Sequence, residues 1–239
     1  MTLDRTIRVR IADRAAPSVM AGRISRNSAP SSPIQMQSTP PSLESATVIA
    51  APIHAWRRSG GDRFSWGVGT QLAALRSGRS RAVADLRDLE SLCRWVLRKG
   101  GDLVTALPLL PTFNTGYPEP SPYSPVSRLF WSGLMLDLGD AHRPTERVAT
   151  LDVTRADAEV RAALAAVPEP EPSQVDAELR HYARFRGAQA RLGRNWRDWP
   201  AEARAGHLRD EHVDPEEERF HLVAQTVARR QLHDLRERL

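Results

Sequence analysis

Apolar residues between Ala82 and Lys99 recur at intervals of three and four positions, which is the spacing of one face of an α-helix. They are Val83, Leu86, Leu89, Leu92, Cys93 and Val96. Gly100 and Gly101 follow directly, and glycine just after the last periodic residue favours the end of a helix. The pattern predicts an amphipathic helix from Ala82 to Lys99.

Short β-prone apolar runs, each bounded by Gly, Pro or Ser, lie at Ala46–Ile53, Thr70–Leu75 and Leu103–Leu110. Because the helix lies between the last two, they predict a β-α-β unit with parallel strands covered on both faces. A further strand is predicted at Leu134–Leu138, after an aromatic- and proline-rich loop over residues 111–131. About 2–6 residues suffice to join such elements, so a loop this long points to function.

The second half of the chain has helical spacing throughout. Helices are predicted at Arg155–Ala166, at Gln174–Arg191 and from Pro215 to about Arg238. The last one carries a start signal, with Asp214 as N-cap, Pro215 in the first position and Glu217 completing a capping-box pattern. We therefore predict an α/β region over residues 47–154 and a helical insertion over residues 155–239.

Residues 1–46 differ in texture, because they are rich in arginine, serine and proline and contain few large apolar side chains. Such a composition buries too little surface to offset the entropy of ordering, so we expect most of the segment to be disordered. With its arginine and serine content and its few acidic residues, the segment also resembles an organelle transit peptide. A misassigned start or a degenerate extra domain explains the segment equally well.

The chain of 239 residues has 34 basic and 29 acidic residues, and Lys99 is its single lysine. A high isoelectric point raises the possibility of nucleic-acid binding, but acidic and basic residues alternate after residue 80 instead of forming a basic stripe. We therefore expect no nucleic-acid partner. No apolar run reaches the length of a membrane span and no secretory signal is recognisable, so we expect no membrane partner and a cytoplasmic location. Cys93, the single cysteine, fits a small buried apolar residue.

Several candidate sites carry a weaker signal. The segment His207–His212 contains acids and two histidines, but not the i, i+4 histidine pair that places both rings on one helical face. Asp137 follows a predicted strand, where it is either a site carboxylate or a turn cap. Trp196 and Trp199 form either a sugar platform or a staple between helices. Glycine-rich phosphate loops, GxSxG and CxxC are absent from the sequence.

Longer motifs resemble glycoside hydrolase family 77, the 4-alpha-glucanotransferases of the amylomaltase or disproportionating-enzyme type. They are GGDLV at 100–104, LPLL at 107–110, SPYSPVSRLFW at 121–131, and a helix with Arg219-Phe220-His221, Gln225 and Gln231-Leu232. The likeness covers about residues 47–239 and corresponds to the N-terminal portion of such an enzyme. Where the family commonly has aromatic or glycine residues, this chain has Ala73, Arg81, Ala82, Ala84 and Thr226.

The resemblance implies a (β/α)8 barrel with a helical insertion, of which this chain would hold the first strands. It also implies transfer of α-1,4-glucan segments between maltooligosaccharides with retention, without a metal or organic cofactor. That chemistry uses a carboxylate nucleophile and a carboxylic acid about 5–5.5 Å apart. In the family both lie downstream of the Arg219 helix, so we expect no catalytic residue here and an inactive segment. The alternative is a non-catalytic remnant or an α-glucan-binding protein.

Tyr123 matches the family tyrosine that lies against the sugar of the donor, and Ser121 and Pro122 precede it in the same motif. The resemblance thus implies substrate binding by these residues. The alternative from local chemistry is that Tyr123 merely packs within a proline-rich loop. An incomplete barrel would also leave strand edges unpaired, and such edges promote self-association.

Overall fold

The structure is a computed structural model that describes residues 66–79, 82–107, 109–114, 121, 123–140 and 151–239, together with the backbone of residues 8–10. Its strands are β1 (Arg8–Arg10), β2 (Gly67–Thr70) and β3 (Leu103–Ala106). Its α-helices are α1 (Leu86–Arg98), α2 (Val153–Ala165), α3 (Ala177–Leu192), α4 (Ala201–Arg204) and α5 (Pro215–Arg238). No helix among these residues is long and apolar enough to cross a membrane.

The strands form a parallel sheet in the order β1-β3-β2, and Val104 in the central strand lies opposite Val9 and Val68. β2 and β3 are joined through α1, which is the parallel β-α-β arrangement that the sequence predicts. Gly67 makes the close pairing possible, because a Cβ there would lie 2.2 Å from the carbonyl oxygen of Leu103. The sheet is the platform from whose carboxyl end the long loop departs.

Helix α1 begins later than predicted, because Asp85 caps it. The Asp85 carboxylate accepts hydrogen bonds from the backbone N–H groups of Arg87 and Asp88, and the Asp88 carboxylate accepts the Asp85 N–H in turn. This capping box satisfies N–H groups that a helix end leaves open. The predicted glycine stop is confirmed, since Gly100 has φ of 86° directly after the helix.

Two predicted strands are wrong in position or type. Thr70–Leu75 is a strand only at Thr70, because Leu72–Ala74 forms a 3-10 turn that buries Leu72. Leu134–Leu138 is not a strand, since Gly133–Met135 is a 3-10 turn and Leu136 then continues in extended conformation. Each run buries apolar side chains, namely Leu72 in the first and Leu134 and Leu136 in the second. Such burial alone does not separate a strand from a tight turn.

Other predictions lie partly or wholly outside the described residues. Ala46–Ile53 is outside them, and so is all of 1–46 except Arg8–Arg10, which forms strand β1. Disorder of most of residues 1–46 therefore stays a prediction. The predicted helices of the second half are confirmed with small shifts at their ends.

Helix α5 is the centre of the helical half and packs against α1, α2 and α3. One apolar cluster joins α1, the sheet and Leu235 of α5, and a second joins Val160 and Leu164 of α2 to Val223 and Val227 of α5. Gly187 lets α3 approach the start of α5, because a Cβ there would lie 2.6 Å from Val213. The long final helix therefore holds the sheet and the helical insertion together.

Candidate functional site

The long loop after β3 is closed at its base by backbone hydrogen bonds. The Ser132 N–H donates to the Leu109 carbonyl at 2.8 Å, and the Val126 N–H donates to the Pro111 carbonyl at 2.8 Å. The loop thus leaves and returns at neighbouring points, as compact functional loops do. Its fixed base determines where the Tyr123 segment lies.

Tyr123 is on the outside of this loop. Its backbone N–H donates to the Ser121 hydroxyl at 3.3 Å, and the Ser124 N–H donates to the Ser121 carbonyl at 3.3 Å. The Tyr123 side chain is 69% exposed, so it does not pack within the loop. Ser121 therefore shapes the turn that presents Tyr123, whereas Pro122 lies outside the described residues.

The returning end of the loop is held by α3 and α5. Phe130 is buried and stacks on Tyr182 of α3, with ring centroids 4.1 Å apart. The Gln225 side chain accepts a hydrogen bond from the Trp131 N–H at 3.0 Å and donates to the Trp131 carbonyl at 2.7 Å. Gln231 makes the same pair of bonds to the backbone of Asp137, at 2.9 and 2.8 Å.

These two glutamines supply the hydrogen bonds that a neighbouring strand would give. Buried backbone groups need such partners, and each amide satisfies the N–H and the C=O of one residue. In the sequence, Gln225 and Gln231 stand out only as members of the family motif. Their structural role is to fix the extended segment after the loop on the surface of α5.

A groove of about 430 Å³ opens between this loop, the end of α3 and the turn that follows it; we call it the Trp196 groove. It is lined by Phe113, Pro125, Val126, Phe185, Gln189, Arg194, Asn195, Trp196 and Arg197. Two guanidinium groups lie over its aromatic rings, with the Arg194 Cζ 4.0 Å from the centroid of Phe113 and the Arg197 Cζ 4.7 Å from that of Trp196.

The Trp196 groove contains a buried acceptor without a partner. Gln189 is 9% exposed, and its Oε1 has no hydrogen bond to any part of the chain that the structure describes. Leaving a buried polar atom unsatisfied costs about 1–3 kcal/mol. The Gln189 Oε1 atom is itself inaccessible from the groove, so this cost is borne within the fold.

Trp196 and Trp199 have different roles. Trp199 is 5% exposed, donates from Nε1 to the Gly193 carbonyl at 2.8 Å and lies 5.5 Å from the Phe185 ring. It is the staple between helices that the sequence offered as one alternative. Trp196 is 44% exposed and lines the groove, so it keeps the geometry of a platform.

Buried charges join α2 to α5 in a second polar region, the Arg161 cluster, which consists of Asp157, Arg161, Glu217 and His221. Arg161 donates to both carboxylate oxygens of Glu217 at 2.7 and 2.8 Å and to Asp157 at 2.6 Å. The His221 ring lies 3.1 Å from Glu217. Burial lowers the pKa of His221 to about 4, and hydrogen bonds from His221 and Arg161 lower the pKa of Glu217 despite its burial.

The capping-box prediction for α5 is only half correct. Asp214 accepts the Glu217 N–H at 3.0 Å, but its own N–H donates to the Gly187 carbonyl of α3 at 3.1 Å. Glu217 therefore does not return the bond and instead serves the Arg161 cluster. A tertiary partner has replaced the local one.

A further group of carboxylates surrounds Arg79, which contacts Asp85 at 2.8 Å and Asp137 at 3.1 Å. Burial raises the pKa of the Asp85 carboxyl, in opposition to the Arg79 hydrogen bond. Asp137 also accepts the Gly139 N–H at 3.0 Å, so it caps a turn, as one of the two sequence interpretations holds. Asp85 is buried, whereas Asp137 is partly exposed and lines a separate groove of about 240 Å³ beside Arg87 and Arg230.

Other candidate residues have no ligand geometry. Among the described residues, no group of three or more His, Cys, Asp or Glu side chains could hold a metal ion. The buried His212 ring instead accepts the Arg209 N–H at 3.3 Å. Cys93 is fully buried, and burial raises the pKa of its thiol to about 11. It is the small apolar core residue that the sequence predicts.

The sequence did not identify Phe113, Gln189 or Asn195 as members of a site. Gln189 lies within a helical pattern where a polar residue usually faces solvent, and only the packing of α3 shows that it is buried. The signal for its burial that the sequence offers is the position of Gln189 next to Ala188, on the apolar side of α3.

Comparison with known proteins supplies the family. Residues 70–239 match the glycoside hydrolase 77 family model, which is described as 4-alpha-glucanotransferase. The chain is also similar to 4-alpha-glucanotransferases from Mycobacterium bovis and from Mycobacterium tuberculosis H37Rv, each 30% identical over 182 residues. The match covers 59% of this chain and 25% of each relative, so the chain spans about a quarter of their length.

Proposed function

The chain belongs to the glycoside hydrolase 77 family of 4-alpha-glucanotransferases, and from that premise we propose that it binds α-1,4-glucan for a glucan-transfer reaction. The reaction moves a glucan segment from one maltooligosaccharide to another with retention, through a covalent glycosyl-enzyme. The residues proposed to bind the sugar are Tyr123, Ser121 and Pro122. The supporting observation is the loop that presents Tyr123 outward from a closed base.

The position of the loop agrees with this role. It follows β3 at the carboxyl end of a parallel strand, which is the end where barrel enzymes carry their sites. We propose that β2, α1 and β3 belong to a (β/α)8 barrel and that residues 155–239 are its helical insertion. An exposed tyrosine ring offers an apolar face to the C–H face of glucose and a hydroxyl to its rim.

The described residues are assigned to binding rather than to bond cleavage. Retaining transfer needs two carboxyl groups about 5–5.5 Å apart that flank the scissile bond. The buried carboxylates of Asp85, Asp88, Asp157 and Glu217 are instead engaged by arginine or by backbone N–H groups. A glucan-binding protein without transfer activity is the second candidate, and these engaged carboxylates favour it for the chain by itself.

The setting of the reaction follows from the same family membership. We propose α-glucans such as maltooligosaccharides, starch or glycogen segments as the ligands, without a cofactor. The free thiol of Cys93 is compatible with a reducing compartment, which we propose as the location. Strand edges in the sheet are proposed contacts for self-association.

Maltotriose tests the proposal directly. Purified chain and its Tyr123→Ala variant are incubated with maltotriose, and glucose release and chain-length redistribution are measured alongside maltoheptaose affinity. We expect maltoheptaose binding that Tyr123→Ala weakens about three- to tenfold, the range that one aromatic contact supplies. Redistribution that depends on Tyr123 would locate transfer carboxylates within this chain, outside the described residues. The absence of both maltoheptaose binding and chain-length redistribution would contradict the proposal.

A further inference from the structure

We propose that a small internal pocket beside Arg186, distinct from Tyr123 and from the Trp196 groove, binds a single chloride-sized anion. This Arg186 pocket lies between the base of the long loop and helices α2, α3 and α5. Its lining includes Asn114, Trp131, Asp157, Tyr182, Arg186 and His221. The site does not depend on glucan binding, because it follows from a buried cation for which the described residues supply no direct acceptor.

The buried cation is Arg186. The residue is 7% exposed, and arginine is rarely buried to this extent without a paired anion. Its Nη1 donates to the Tyr182 hydroxyl at 3.4 Å, which is the single hydrogen bond that its side chain makes to the described residues. Its Nε and Nη2 therefore have no acceptor there and, unlike Gln189 Oε1, neither is closed off from solvent. A small acceptor in the pocket can reach these N–H groups.

The acceptors that line the pocket already have donors. Asp157 accepts from Arg161 at 2.6 Å and from Asn114 at 3.2 Å. Gln225 Oε1 accepts the Trp131 N–H at 3.0 Å. A buried charge without a direct partner is unfavourable, so we expect the missing acceptor to come from outside the chain.

The volume of the pocket selects the size of that acceptor. It is about 10 Å³, close to the ~10–15 Å³ that a single water molecule needs. A glucose unit, a phosphate group or a carboxylic acid is larger than this space. Chloride is a single atom with a full negative charge, so it suits the space and neutralises the guanidinium, whereas a water molecule would accept the N–H groups without supplying charge.

Tyr182 is a second donor in the same pocket. Burial raises the pKa of its phenol, so the hydroxyl keeps its proton at neutral pH. The hydroxyl oxygen accepts from Arg186, which leaves its own hydrogen to donate. The Tyr182 ring is held by Phe130 at 4.1 Å and by His221 at 5.6 Å between centroids. A guanidinium and a hydroxyl held side by side as donors favour an anion, because bonds to a charged acceptor are the stronger ones.

The surrounding charges link the anion to a proton. Asp157 and Glu217 share Arg161, which leaves one negative charge in excess, and the charge of Arg186 restores neutrality. An added chloride therefore favours protonation of His221. Burial, and after it the charge of Arg186, lowers the pKa of His221, and the anion offsets the second of these effects. By reciprocity, protonated His221 strengthens chloride binding, so the affinity should rise as the pH falls.

Thermal unfolding of the full chain tests the site. Melting temperatures are measured in sodium chloride and in sodium gluconate of equal ionic strength, at about one pH unit below the ordinary pKa of histidine. Gluconate is too large for the pocket, so we expect chloride to raise the melting temperature by about 2–4 °C relative to it. Arg186→Met should abolish this difference, and Tyr182→Phe should reduce it by about half. Arg180→Met is the matched control, since Arg180 on the same helix is solvent-exposed, and it should keep the full chloride effect.

Equal melting temperatures of the wild type in the two salts would overturn the proposal and leave a water molecule as the partner of Arg186. A chloride effect of the same size in Arg186→Met would overturn it as well. If that variant does not fold, Tyr182→Phe decides, because it keeps the ring packing and an undiminished chloride effect in it contradicts the site. A chloride effect that is no smaller at about pH 7.5, where histidine is mostly neutral, would contradict the link to His221.

Discussion

The Arg161 cluster and the Trp196 groove both place polar groups where little water reaches, but only the first satisfies them internally. In the cluster, Arg161 meets two carboxylates and His221 meets Glu217. At the groove, the Gln189 side-chain carbonyl accepts no hydrogen bond from the described residues, and Trp196 is partly exposed. Satisfied buried groups stabilise one arrangement of the fold, whereas a buried acceptor without a partner lowers its stability by about 1–3 kcal/mol.

This difference predicts opposite behaviour on substitution. Changes in the Arg161 cluster should alter stability because they leave charges buried without partners. Changes at Trp196 and Gln189 should leave stability nearly constant, because neither removes a satisfied buried charge. The same comparison ranks the effects that follow.

Arg161→Leu is expected to cause the largest loss, about 3 kcal/mol in the free energy of unfolding, because it leaves Glu217 and Asp157 without their cation. Denaturant unfolding measures the change. Arg155→Leu is the matched control, since the pair Arg155–Glu159 is also spaced i, i+4 on α2 but is solvent-exposed, and such pairs contribute about 0.5 kcal/mol. Equal losses in the two variants would contradict a structural role for the cluster.

Acid should destabilise the chain by an amount on the order of 2–3 kcal/mol between pH 6.5 and 4. Burial lowers the pKa of His221 from 6.5 to about 4, and the Glu217 carboxylate opposes this shift. Arg161, Arg186 and Tyr182 also lie beside the His221 ring. The unfolded chain therefore binds a proton at His221 at a higher pH than the folded chain, so stability falls as the pH falls through this window. The depressed pKa of Glu217 acts in the same direction.

Thermal unfolding across that pH range measures the effect, and His221→Gln is the comparison. The variant should show a flatter dependence of stability on pH, because the residue that takes up the proton has been removed. A profile with unchanged slope would mean that other groups carry the acid sensitivity.

Gln225→Leu is expected to cost about 2 kcal/mol, since it orphans the N–H and C=O of Trp131 in a buried position. Gln231→Leu makes the same change at Asp137, but Gln231 is only partly buried. Water can replace part of what is lost there, so its cost should be smaller. Chemical denaturation of both variants tests this ranking, and the reverse order would contradict it.

Gln189→Met should have the smallest effect on stability, within about 1 kcal/mol of the wild type and towards higher stability, because it removes an unsatisfied carbonyl and keeps the shape. The melting temperature in the absence of ligand measures it. A large destabilisation would show that Gln189 has a structural partner and would place the groove with the Arg161 cluster. Unchanged or raised stability would confirm the contrast between the two regions.

Local signals in the sequence predicted local structure well. The glycine stop after α1 and the Asp214 cap of α5 are confirmed, because each depends on residues within one turn of the helix end. The strand at Leu134–Leu138 was wrong, because a buried apolar run fits a tight turn as well as a strand. Gln231, 94 residues further along the chain, accepts the Asp137 N–H where a partner strand would otherwise do so.

The sequence by itself determined the helices, the β-α-β order and, through the SPYSPVSRLFW motif, the family and the candidate residue Tyr123. These depend on short-range spacing or on a contiguous string of residues. Only the tertiary structure decided that Glu217 bonds Arg161 instead of its own helix cap and that Trp199 is a staple while Trp196 is exposed. It also decided that the Gln189 Oε1 is buried with no hydrogen bond from the described residues. The physical reason is that hydrogen-bond satisfaction and burial are properties of residues brought together from distant parts of the chain, and no local pattern encodes them.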